Sequence, residues 1–99
     1  MEVSIAAGVG EAARRLAERR FEVVITDWSM PGGGRRWIEY VLRSQPNAAV
    51  IVITAALDVA SGLAAALRDA GCVVLGKPVP AASLLEVLKR TTRGSQDDE

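Results

Sequence analysis

The chain of 99 residues contains no histidine. That absence removes the usual general base, the usual proton shuttle and the commonest zinc ligand together, and with them nucleophilic triads and histidine-metal centres. The single cysteine, Cys72, cannot close an internal disulfide, and no charged-then-apolar leader opens the chain, so a reducing cytoplasm is the expected setting. Charge of either sign is not in excess, with twelve basic and twelve acidic residues. The basic footprint of a nucleic-acid binder is therefore missing, and no direct contact with nucleic acid is expected. Apolar runs are too short to span a bilayer, so no membrane association is expected either. Aromatic residues are few, four in all.

What is there is an apolar fraction of 49% built mainly from Ala, Val, Leu and Ile, a globular composition for one domain. Residues 2–7, with Val3 and Ile5 alternating, read as a short strand ended by Gly8. Residues 9–20 place Val9, Ala12, Ala13, Leu16 and Ala17 on one helical face and Glu11, Arg14, Arg15 and Glu18 on the other. "FEVVIT" and "AVIVIT" are nearly unbroken apolar, β-branched runs, the pattern of strands covered on both faces of a parallel sheet. Between them Trp37, Ile38, Val41 and Leu42 mark a second helix, closed where Pro46 biases Gln45 away from helical geometry. A third helix follows, with Asp58 as its candidate N-cap, Val59, Leu63, Leu67 and Ala70 on its apolar face, and Gly71 as its stop. "CVVL" is a last strand and residues 81–90 a last helix. The spacing predicts a domain over residues 1–92 and a disordered polar tail over 93–99.

Alternation of strand and helix four times over forces parallel strands joined by crossovers, and in such sheets chemistry gathers at the carboxyl ends of the strands. Those ends carry Gly8, Asp27, Thr54 with Ala55, and Lys77. A carboxylate there can take a phosphoryl group, a hydroxyl can hydrogen-bond its oxygens, and an ammonium can neutralise their charge. Taken singly, each residue has an ordinary reading as turn former, strand residue or solvated charge. Their conjunction raises the chemical reading. Gly32, Gly33 and Gly34 follow a strand but lack the lysine and hydroxyl of a phosphate-binding loop, and no other catalytic constellation is present, so an enzyme is not expected.

In "VVITDWSMPG", "VIVITA" and "GKP", in that order, the chain resembles the receiver domains of two-component response regulators. The resemblance implies a flavodoxin-like α/β fold, a parallel sheet reduced to about four strands with flanking helices, and a stand-alone receiver-like protein in phosphorelay signalling. It further implies Asp27 as phospho-acceptor, Thr54 as switch hydroxyl, Ala55 and Lys77 as phosphate contacts, and a histidine kinase or phosphotransfer protein as partner. Ser29 matches the position whose backbone carbonyl helps Asp27 hold Mg²⁺.

The chain departs from that pattern at its start. The alignment begins at the family's second strand, so the first strand and helix, and the paired carboxylates that anchor Mg²⁺, are absent from residues 1–99. With Asp27 as the sole side-chain ligand, magnesium is expected to bind weakly or not at all. Val74 also replaces the aromatic residue of the family's switch. Two accounts of the chain stay open: an Asp27 phospho-acceptor, or a degenerate receiver that dimerises and binds proteins without phosphorylation. A start upstream of Met1 that restores the acidic pair is a further alternative. The missing strand is replaced either by residues 2–7 moving in beside 21–26 or by a segment of another copy, and the thinly covered sheet face predicts a homodimer.

Overall fold

The computed structural model describes residues 8–55 and 62–97, with side chains up to Thr91. Element order is α1 (Val9–Glu18), β1 (Val23–Asp27), α2 (Arg35–Ser44), β2 (Ala49–Ala55), α3 (Leu63–Asp69), β3 (Val73–Lys77) and α4 (Ala81–Asp97). The described strands form one parallel sheet in the order β1-β2-β3, with Ile25 opposite Ile51 and Ile51 opposite Val73. This is the α/β architecture that the alternation dictates. The expected strand over residues 2–7, and the Asp58 cap with Val59, lie outside the described residues.

Strand alternation sorts the side chains into two faces. On one, Val50, Val52 and Val74 join Leu16, Trp37, Ile38, Val41 and Leu67 from α1, α2 and α3 in a continuous core. The buried apolar residues outside that cluster are Ile51 and Val87, which places α4 on the opposite face.

Local sequence explains the ends of the helices. Gly71 takes φ +100°, open to glycine without strain. The amides of Gly71 and Cys72 then return to the carbonyls of Arg68 and Leu67, the paired bonds of a Schellman stop. Gln45 is buried, and its side chain ties the end of α1 to the start of β1. It accepts from the Phe21 amide at 2.9 Å and donates to the carbonyls of Leu16 and Arg19, each at 3.0 Å. Glu11 and Arg15 pair across one turn of α1 at 3.6 Å.

Helix α4 runs to Asp97, past the end expected at Arg90, so the backbone does not break at residue 93. Once a helix is nucleated, each added residue needs only its own hydrogen bond, and polar residues extend it at low cost. No helix among the described residues is long and apolar enough to cross a membrane.

Candidate functional site

Asp27 is the last residue of β1, and Lys77 the last of β3. Two strands away from each other across β2, they meet above its end: the Lys77 Nζ donates to Asp27 Oδ2 at 2.7 Å. The other carboxylate oxygen, Oδ1, accepts the backbone amide of Ser29 at 2.8 Å, the short-range turn bond typical of aspartate. The Lys77 hydrogen bond first, and the Ser29 amide next, hold the Asp27 carboxyl below its ordinary value, against a smaller opposing effect of desolvation. The group is thus a carboxylate at neutral pH. It is also open, with 40% of its side chain exposed and 42% of that of Lys77.

The loop behind Asp27 shows why glycines follow it. The Met30 amide donates to the Asp27 carbonyl at 3.1 Å and the Gly33 amide to the Met30 carbonyl at 2.7 Å, folding residues 28–33 back onto the strand end. A Cβ on Gly33 would stand 2.7 Å from the Asp27 carbonyl oxygen and 2.9 Å from that of Met30. Only a residue without a side chain fits there. Gly32 adopts φ +77°, and Gly34 precedes the first turn of α2. The Trp28 amide donates to the Ile53 carbonyl at 2.8 Å, which carries the sheet pairing one residue past Asp27.

Asp27, Lys77 and Ala55 share one register side, Ala55 being opposite Lys77. Thr54 does not: it is fully buried, and alternation places it with Val52 and Val50 on the side of the main core. The structure therefore brings two of the expected residues into contact and a third onto the same face, while the Thr54 side chain is buried. Val74 is buried in the same core.

Sequence reasoning missed two supports of this site. Trp37 donates its indole N–H to Thr26 Oγ1 at 2.9 Å inside the core, fixing α2 against the residue before Asp27, and it stacks on Tyr40 at 5.6 Å. Gln45 is the other, since it anchors the opposite end of β1. Neither is visible from spacing alone: a tryptophan with a buried N–H needs some acceptor, but the acceptor is eleven residues away.

A magnesium ion demands several oxygen ligands in near-octahedral array. Here both oxygens of Asp27 face donors, and it is the amide of Ser29 that turns toward the carboxylate. No group of three or more His, Cys, Asp or Glu residues comes together among the described residues. The described residues do not fit a magnesium site.

No family model matches the chain. It is 37% identical over 87 residues to a response regulator receiver protein of Anaeromyxobacter sp. (strain Fw109-5), an overlap of 87% of this chain and 36% of that protein. The chain thus spans about a third of the length of this curated relative. Among solved structures, the crystal structure of an adenylate cyclase from Rhodopirellula baltica superposes with a TM-score of 0.80 over 99% of this chain and 78% of that one, at 19% identity. That likeness concerns the fold alone. The sequence similarity, with Asp27 and Lys77 joined at the carboxyl rim of a parallel sheet, supports a receiver-type domain in this chain.

Proposed function

We propose that the chain is a receiver-like signalling domain that takes a phosphoryl group on Asp27 from a histidine kinase or phosphotransfer protein. The observation that carries this reading is the 2.7 Å contact between the open Asp27 carboxylate and Lys77. An ionised, accessible carboxylate beside a half-exposed cation is equipped to attack phosphorus and to have the added charge balanced. In the transfer, an Asp27 oxygen forms the new O–P bond as the donor's P–N bond breaks, and the electron pair leaves on the donor imidazole. Lys77 then moves from the carboxylate to the phosphoryl oxygens. The added charge falls on Lys77 and the loop amides. In this reading the chain turns over no substrate of its own and acts in the cytoplasm.

The experiment is intact-mass analysis after incubation with acetyl phosphate, with and without Mg²⁺. Addition of one phosphoryl group to the wild type, and none to Asp27→Asn, is the expected result. An unmodified wild type under conditions that label an intact receiver overturns it.

A second reading is favoured by the engagement of both Asp27 oxygens by donors. In it the chain is a degenerate receiver whose rim is structural and whose role is dimerisation and protein binding. Ile25 and Leu85, large apolar residues exposed by 43% and 56%, belong to the surface such a homodimer would cover. In that case Asp27→Asn leaves both partner binding and the oligomeric state measured by light scattering unchanged.

A further inference from the structure

The loop from Asp27 to α2 is fastened along its length. At its near end the Trp28 amide donates to the Ile53 carbonyl at 2.8 Å, which keeps the main chain after Asp27 in the sheet. In its middle Trp28 and Met30 are half-buried and pack on the main core, while Ser29 between them is exposed. Further on, Gly33 is buried, and its amide is tied to the Met30 carbonyl at 2.7 Å. At the far end stands Trp37, in the first turn of α2, whose indole N–H reaches back to Thr26 Oγ1 at 2.9 Å. Both of these side chains are buried. Their bond closes a loop between residues eleven apart, with Asp27 beside one end of it.

Any large apolar side chain could fill the core at position 37, but only the indole adds a donor that reaches β1. Inside the core that donor has no water to fall back on, so the bond is costly to break. The loop it closes carries the Ser29 amide, which donates to Asp27 Oδ1 at 2.8 Å.

We propose that Trp37 is a positioning residue for Asp27: its hydrogen bond to Thr26 clamps the two ends of the 28–34 loop together and so keeps the Ser29 amide aimed at the Asp27 carboxylate. Trp37 acts through the loop and touches no reacting atom. The order of the loop does not depend on the phospho-acceptor reading, whereas the effect on labelling rests on it.

Hydrogen exchange of the full chain tests the clamp. In the wild type the Trp37 indole proton and the Gly33 amide are expected to show the same protection, because one opening frees both. Trp37→Phe and Thr26→Val should each speed exchange at Gly33 and Ser29 by roughly fivefold or more. Thr26→Ser, which keeps the hydroxyl, should restore the wild-type rates. Ile51→Val, which weakens the core on the other face of the sheet, should leave both amides unchanged. Labelling of Asp27 by acetyl phosphate, followed by intact mass, should slow by roughly tenfold or more in Trp37→Phe and Thr26→Val. A wild type that takes no phosphoryl group overturns the phospho-acceptor reading alone, and the exchange rates then decide the clamp. An indole proton clearly less protected than the Gly33 amide in the wild type overturns the proposal, and that measurement needs no variant to fold. Equal acceleration at Gly33 in Ile51→Val and Trp37→Phe also overturns it, and leaves the indole with packing alone.

Discussion

Ile25 and Ile51 are the same residue, on the same face of the sheet, directly opposite one another in register. Ile51 is fully buried and Ile25 is 43% exposed. The difference lies in their neighbours: β2 has a strand on each side and α4 near one face, whereas β1 has a described strand on one side only. Burial is a property of position in the sheet, and the Asp27 rim stands on the less covered strand. Asp27, at the end of that strand, keeps 40% of its side chain exposed.

The contrast can be broken most forcefully at its buried end. Ile51→Ala should cost about 2–5 kcal/mol in urea unfolding, because a large side chain is removed where the surroundings can collapse only in part. Gly33→Ala should cost about 1–3 kcal/mol, since its Cβ cannot enter without moving the Asp27 carbonyl. The same variant should alter phosphoryl labelling of Asp27, which a loss of general stability far from the rim would not do. Thr26→Val leaves the Trp37 indole N–H buried without its acceptor and should cost about 1–3 kcal/mol in the same assay. Ile25→Ala sharpens the comparison from the other side: a cost below about 1 kcal/mol is expected for the half-covered residue. A cost matching that of Ile51→Ala would show that Ile25 is covered in solution.

The smallest effect belongs to the rim. The folded state holds the Asp27 carboxyl below its ordinary value, so its contribution to stability is present above that value and is lost as pH falls through the folded one. The exposed setting of the pair keeps this contribution small. In Lys77→Met, an NMR titration should find Asp27 protonating at a higher pH than in the wild type. An unchanged titration would show that the ammonium does not control the carboxylate.

Much of this was legible from spacing. The β-branched runs at 23–27 and 49–55, the three-four pattern of α1 and α2, and Gly71 as a helix stop are local signals, and each corresponds to an element or a turn in the structure. The same spacing puts Asp27, Ala55 and Lys77 at strand ends, where the structure has them. Spacing also puts Thr54 near the end of β2, but its burial is not legible there, because consecutive residues of a strand face opposite ways. The end of α4 at Asp97 is not legible either, since polarity in a tail does not by itself stop a helix.

By itself, then, the sequence determined the alternation of parallel strands and helices, the absence of histidine chemistry and the set of charged groups at the carboxyl ends, because these depend on residue type and short spacing. Only the tertiary structure decided that Lys77 reaches over β2 to Asp27, that Gly33 must lack a side chain, that Gln45 and Thr26 are buried hydrogen-bonding anchors, and that one isoleucine of a matched pair is covered and the other is not. Those facts depend on which elements become neighbours across the sheet, and the distances that govern hydrogen bonds and burial act between residues far apart in the chain.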